Sequence, residues 1–316
     1  RVPGLAALLS VAGIEPAGVT AGQLGFVVAP RLNAAGRMGE SADALRLMVT
    51  DDPDEALALA RRLEDLNRVR KDEDRRTLDE AMELIERDFD PARDYGVVLA
   101  SEGWHPGVIG IVASRVVERI HRPTVLVALD GEKGRGSARS IPGFHLYEAL
   151  FRCRAHLGRC GGHRQAAGRD VARAALPARR AAFNEEARKA LRPDDLQPLL
   201  RPDLELPLPE ADLDFVRWLE YLGPHGIGNP RPLFLARGVR MTNPRRVGDA
   251  HLKVSLEAGP ARLDAIGFGL AERHPPETMA PGRYDVLVKL ERNEYRGVAR
   301  PQALIVDVRP TPGELP

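Results

Sequence analysis

The chain has 316 residues, 43% of them hydrophobic, with 46 Lys and Arg against 45 Asp and Glu and a net charge of +1. That is enough for two or three folded domains of ordinary composition, and no apolar run is long enough to cross a bilayer. A charge this close to zero says nothing for or against nucleic acid. The two cysteines, Cys153 and Cys160, fit no metal motif. With no signal peptide visible, they point to a reducing, cytoplasmic setting. Arginine greatly outnumbers lysine. That bias suits bidentate phosphate contacts, and it equally follows from a GC-rich genome.

The chain opens at Arg1 inside a helical pattern, Leu5 to Ser10, which reads as a piece of a longer protein. Residues 1–50 mix short helical stretches with Gly and Pro breaks and contain a small-residue segment, Asn33-Ala34-Ala35-Gly36-Arg37-Met38. Pro53 stands where a first helical turn tolerates it. From there to about Arg87, apolar residues at Ala56, Leu59, Ala60, Leu63, Leu66, Val69, Leu78, Met82 and Ile85 keep helical spacing. The face between them is dense in Arg, Asp and Glu. This reads as one long helix bridging two domains, its basic residues solvated.

An α/β module follows. Tyr95–Ala100 and Pro123–Leu129 read as buried strands with a helix, Val108 to Ile120, between them. Such a βαβ unit predicts a partly parallel sheet. Gly134 to Ser140 comes after the second strand and reads as a loop, followed by helices at about 146–153 and 174–191. Residues 192–210, rich in Pro and Leu, read as linker. After a short helix at Phe215–Leu222, five short alternating runs fit a small barrel such as an OB-fold: Leu233–Val239, His251–Leu256, Arg262–Phe268, Arg283–Leu290 and Gln302–Val308. Asn243-Pro244, Gly259-Pro260 and Pro281-Gly282 punctuate it.

Three segments carry chemistry. Gly161-Gly162-His163 followed by Ala166-Ala167-Gly168 reads as a phosphate-contacting turn. The glycines free their N–H groups for an anion, and His163 supplies a donor near neutral pH. A plain glycine turn with a surface histidine is the other reading. Ser137 and Arg139 offer hydroxyl and guanidinium to a phosphate, or form a polar surface loop. Trp104 and His105 follow the first strand, so both loops should open on the same edge. The two rings could stack a base, but a core lid ranks first for Trp104. In the barrel, Phe234 and Phe268 read as core, and Tyr284 and Tyr295 are further aromatic candidates.

Asn33 to Met38, Glu102-Gly103-Trp104-His105-Pro106-Gly107-Val108-Ile109-Gly110, Ser137-Ala138-Arg139-Ser140, Gly161-Gly162-His163 and Gly226-Ile227-Gly228-Asn229-Pro230 together resemble the RecJ family. These are bacterial single-strand-specific DNA exonucleases of the DHH phosphoesterase superfamily. The matches run in family order across nearly the whole chain. The resemblance implies an α/β DHHA1-type domain with a mixed sheet, a long connecting helix and a C-terminal all-β OB-fold barrel. The implied segments are 1–50 as the tail of a DHH domain, 51–88 the helix, 89–195 DHHA1, 196–222 linker and short helix, and 223–312 the barrel. It implies two-metal hydrolysis with Mn2+ or Mg2+. No Asp-His-His triplet occurs, so the metal ligands are expected N-terminal to Arg1 and none in this chain.

His163 is then the expected catalytic residue. Gly161, Gly162, Ser137, Arg139, Asn33, Arg37, Trp104 and His105 are the expected nucleic-acid and phosphate contacts. Single-stranded DNA is the implied substrate; single-strand-binding protein and a helicase are implied partners. Two other functions stay open: an oligoribonucleotide or cyclic-dinucleotide phosphodiesterase of the sister group, which the barrel argues against, and a non-catalytic single-strand-binding module.

Overall fold

A computed structural model of the chain describes residues 2–153, 160–162, 166–226, 228–248 and 250–313. It divides into two compact units, Arg1–Pro198 and Leu199–Pro316.

The first unit begins with helices α1 (Pro3–Val11), α2 (Ala21–Gln23), α3 (Ala29–Met38) and α4 (Ser41–Val49). A π-helical turn, Leu24–Val28, joins α2 to α3. These pack on the first half of α5 (Pro53–Asp88), a helix of 36 residues and so roughly 54 Å long. Pro53 sits in its first turn, and the Asp52 side chain accepts from the Asp54 N–H, satisfying an otherwise orphaned donor. Leu59, Ala60 and Leu63 of α5 close a core with Leu8 and Leu47. Further along, Leu78, Ala81 and Ile85 join a second core. Between the two apolar stretches the buried face turns polar, with Asn67, Asp74 and Thr77.

That second core lies under a five-stranded mixed sheet of order β1-β2-β3-β5-β4. Its strands are β1 (Val97–Ser101), β2 (Thr124–Asp130), β3 (Lys133–Arg139), β4 (Cys160–Gly162) and β5 (Ala166–Ala172). β1 and β2 are parallel, linked by α6 (Ile109–Ile120), and the remaining pairs are antiparallel. α5 and α6 cover one face. α7 (Leu146–Arg152) and α8 (Leu176–Ala190) cover the other through Leu146, Leu150, Phe183 and Ala187.

Two sequence expectations change here. Gly134 to Arg139 is no loop. It is β3, with Gly134, Gly136 and Ala138 on its buried side. A Cβ at Gly134 would lie 2.8 Å from the Val127 side chain, so the small residues are what let the strand close on β2. The Gly-Gly pair is likewise in a strand, Gly161 opposite Gly168 and Gly162 opposite Ala167, rather than in the turn. His163, the expected catalytic residue, lies outside the described residues.

The second unit is a closed five-stranded barrel. Its strands are β7 (Phe234–Val247), β8 (His251–Ala258), β9 (Ala261–Gly267), β10 (Arg283–Tyr295) and β11 (Val298–Pro310). β7, β8, β9, β11 and β10 pair in that order, and β10 closes back on β7. β9 and β11 are parallel, as an OB-type barrel requires. Asn243-Pro244 does not end a strand. Asn243 takes a left-handed conformation at a register shift between Thr242 and Arg245, a bulge that bends β7 around the barrel. The Pro- and Leu-rich stretch read as linker contributes β6 (Leu204–Glu205), paired to β7, and the buried Leu206 and Leu208. Helix α9 (Leu213–Glu220) packs Val216 into the same core, and α10 (Leu270–Arg273) adds Leu270.

Candidate phosphate-binding cleft

Four segments of the first unit converge on an open cleft of roughly 450 Å³, lined by Asn33, Gly36, Arg37, Pro106, Gly107, Gly110, Ser137 and Arg139. Asn33 and Arg37 are one turn apart on α3 and so face the same way. The loop after β1 is pinned from both sides. His105 Nδ1 accepts from the Gly107 N–H at 3.0 Å, and the His105 carbonyl accepts from the Val108 and Ile109 N–H groups, starting α6. The Gly107 carbonyl in turn accepts from Arg37 Nη1 at 3.0 Å. Close approach fixes the glycines. A Cβ on Gly107 would stand 2.2 Å from the Arg37 carbonyl oxygen, and one on Gly110 would stand 2.9 Å from Ser137 Oγ and 3.0 Å from Arg139 Nη2.

Ser137 and Arg139 point from β3 toward α6. They do not reach the cleft from the carboxyl end of the parallel strands, because Arg139 lies opposite Thr124, at the start of β2. Arg139 Nε donates to Ser114 Oγ at 3.1 Å, and Nη1 donates to Ser137 Oγ at 3.3 Å and the Ala138 carbonyl at 2.8 Å. Burial, then the nearby charge of Arg37, pulls the Arg139 guanidinium below its usual pKa. A cationic group held this way gains from an anion.

The positive charge continues behind the cleft. Arg70 of α5 is 11% exposed at its side chain, and its Nε and Nη2 donate to Asn67 Oδ1. Burial lowers its pKa; Asp74 opposes that, while Arg37 and Arg115 add to it. Asp74, 2% exposed, pairs with Arg115 of α6 at 3.0 Å and reaches Arg70 at 4.0 Å. Burial raises the Asp74 pKa against the pull of Arg115, Arg70 and Arg37. Three guanidiniums, those of Arg115, Arg70 and Arg37, thus act on one carboxylate, and Arg37 also acts on Arg139. The reading of the α5 cations as solvated fails for Arg70. An Arg and an Asp four apart on a charged helix look the same in sequence whether water or protein covers them, so no signal marked this one.

Trp104 leaves the set of contact candidates. It is 3% exposed in the second core, and its Nε1–H donates to Glu80 Oε2 on α5 at 2.8 Å. His105 is half-buried and serves the loop through Nδ1. In the barrel, Phe234 and Tyr284 are buried. Phe268, expected in the core, is 64% exposed and meets the His251 ring edge-on at 5.2 Å. Tyr295 is also exposed, with the Arg296 guanidinium 5.3 Å from its ring centre.

Among the described residues, no group of three or more His, Cys, Asp or Glu lies together in a way that could hold a metal ion. No helix among them is long and apolar enough to cross a membrane.

This combination, an α/β unit with an arginine-lined cleft followed by a closed barrel, has named counterparts. Residues 94–192 match the DHHA1 domain and 202–307 the RecJ OB domain. The chain is 33% identical over 309 residues to the single-stranded-DNA-specific exonuclease RecJ of Bacillus subtilis, covering 96% of this chain and 39% of that protein. It is 35% identical over 318 residues to the Escherichia coli protein of the same description, covering 98% of this chain and 55% of that one. Crystal structures of RecJ from Thermus thermophilus superpose with TM-scores of 0.82 (with Mg2+) and 0.81 (with Mn2+) at 33% identity, covering 98% of this chain and 46% and 44% of those chains. Over nearly its whole length the chain matches part of these RecJ proteins. That part is the DHHA1 and OB portion, about half the length of these relatives or less.

Proposed function

We propose that this chain is the substrate-binding portion of a RecJ-type exonuclease that hydrolyses single-stranded DNA from its 5′ end in repair and recombination. One observation carries the reading: Asn33, Arg37, Ser137 and Arg139, distant in sequence, line a single cleft whose cations outnumber its carboxylates. The cleft binds and orients a phosphate, that of the 5′ end or one beside it. Arg139 is already oriented by Ser114 and Ser137, so little side-chain entropy is lost when its free edge meets an anion. The exposed Phe268 and Tyr295 and the basic residues around them support a sequence-tolerant track for the strand.

The metal fits no cluster of described residues, so what these residues contribute is binding and orientation. Divalent metal, Mn2+ or Mg2+, belongs to the activity of the whole protein, as in the relatives solved with those ions. His163 is assigned to stabilising the phosphoryl oxygens, with Gly161 and Gly162 beside it. A cytoplasmic location, and single-strand-binding protein and a helicase as partners, are proposed on the resemblance alone. The RecJ OB match over 202–307 favours this reading over the sister-group phosphodiesterases, which generally lack a barrel.

The test is binding by the chain. A 5′-phosphorylated single strand should bind roughly tenfold tighter than its 5′-hydroxyl twin, the size of one charge-assisted contact. Its affinity should fall as salt rises, because phosphate contacts release counterions. Equal affinity for the two strands overturns the assignment of the cleft.

A further inference from the structure

Asp74 is an acidic residue buried beside a site meant for anions. Electrostatics alone makes it a liability, since its charge repels the ligand. Its place in the structure gives a different account. It sits on α5 where the two apolar stretches of that helix give way, between the helical cluster that carries Arg37 and the sheet that carries Arg139. Its Oδ2 holds Arg115 of α6 at 3.0 Å and faces Arg70 at 4.0 Å. Arg70 is anchored separately by Asn67 Oδ1. Arg37 is close enough to act on Arg70, Asp74 and Arg139 alike, so it links the buried pair to the cleft. Asp74 Oδ1, Asn67 Nδ2 and Thr77 Oγ1 are buried with no hydrogen-bond partner among the described residues, so polar atoms crowd this part of the helix rather than apolar packing.

We infer that Asp74 is a positioning residue for the phosphate cleft: its carboxylate ties Arg115 and Arg70 down between α5 and α6, and so leaves Arg37 lodged on the Gly107 carbonyl beside Arg139. Without that charge, Arg37, Arg70 and Arg115 repel one another with the carboxylate they share gone, and Arg37 also faces Arg139. Arg70 and Arg115 are then held only by Asn67 and solvent. Arg37, held among the described residues by its hydrogen bond to the Gly107 carbonyl, can relieve its share of the repulsion by swinging away from Arg139. The inference rests on the cleft being the phosphate site.

The sign of one measurement separates the two accounts. In the full chain, Asp74→Asn keeps shape and removes charge. Positioning predicts that the affinity for a 5′-phosphorylated oligothymidylate drops roughly tenfold, one cation's contribution. Simple charge counting predicts that affinity rises. Adding Arg115→Gln to Asp74→Asn restores the original excess of cations, and the double variant should recover most of the affinity. Should Asp74→Asn alone fail to fold by circular dichroism, the double variant is read against the native chain: binding near the native value supports the inference, and a roughly tenfold deficit overturns it. Arg139→Ala is measured alongside. If it binds as well as the native chain, the cleft itself is misassigned. If it binds weakly while Asp74→Asn binds equally well or better, only the role of Asp74 falls.

Discussion

In the cleft of the first unit, Arg139 has two of its three nitrogens already committed to Ser114, Ser137 and the Ala138 carbonyl. On the barrel, Phe268 stands just past the end of β9 with its ring largely in water, met at its edge by His251. Both regions suit nucleic acid, but they fix their groups at different moments. The cleft orders its guanidiniums when the protein folds, so it can recognise one phosphate in one geometry. The barrel face orders its side chains only when a strand arrives, so it tolerates any base and loses more entropy in binding. A preference for a 5′-phosphate should therefore come from the first unit, and general single-strand affinity from the second.

The largest effect is expected where the cleft is most rigid. Gly107→Ala sets a methyl 2.2 Å from the Arg37 carbonyl, a backbone atom that cannot rotate away. Overpacking of this kind costs about 3 kcal/mol, the upper end of its usual range, when both partners are main chain. Denaturant unfolding of the variant should show that loss, together with a lost preference for the 5′-phosphate. Unchanged stability would mean that the loop moves freely, and the contrast between an ordered cleft and an adaptable barrel would disappear.

A smaller effect sharpens the other side. Phe268→Ala should lower single-strand affinity by about 1.5 kcal/mol, in the lower part of the range for one stacked base, since His251 meets the ring only at its edge. The ratio between phosphorylated and unphosphorylated strands should not move. Fluorescence anisotropy with both strands reads the two quantities at once. A changed ratio would join functions that the two units are argued to divide.

The legibility of each region follows its physics. The βαβ core could be read because Tyr95–Ala100 and Pro123–Leu129 are buried on both faces and so run apolar without interruption. β3 could not. Its buried side is Gly134, Gly136 and Ala138, chosen for closeness rather than hydrophobicity, and a pattern search keyed to apolar side chains sees only a glycine loop. Phe268 misled in the opposite sense: it continues the apolar run of β9 but falls just past Gly267, where the strand ends. Arg37, Ser137 and Arg139 were legible as residues through the ordered motifs, whereas their convergence across β3 and α6 was not. Arg70, Asp74 and Arg115 gave no signal, because burial of a charge depends on what packs over it from elsewhere in the chain.

The smallest effect separates folding from binding inside a single loop. Trp104 and His105 are neighbours, yet Trp104 faces the core while His105 ties down the turn that presents Gly107 to Arg37. Trp104→Phe keeps the aromatic body in the core formed with Val108, Ile109 and Leu126 and removes only the N–H that Glu80 accepts. Glu80 is left with Arg76 at 3.4 Å and with access to water, so its carboxylate is not stranded. The loss should be about 1 kcal/mol of stability, that of an ordinary hydrogen bond, seen as a lower unfolding midpoint with an unchanged denaturant slope. Affinity for the 5′-phosphorylated strand should stay at its native value, because the Gly107–Arg37 contact does not pass through the indole. A drop in that affinity matching the loss in stability would tie Trp104 to the cleft after all, and the first unit would then hold its phosphate through the whole loop rather than through Gly107 and the two arginines.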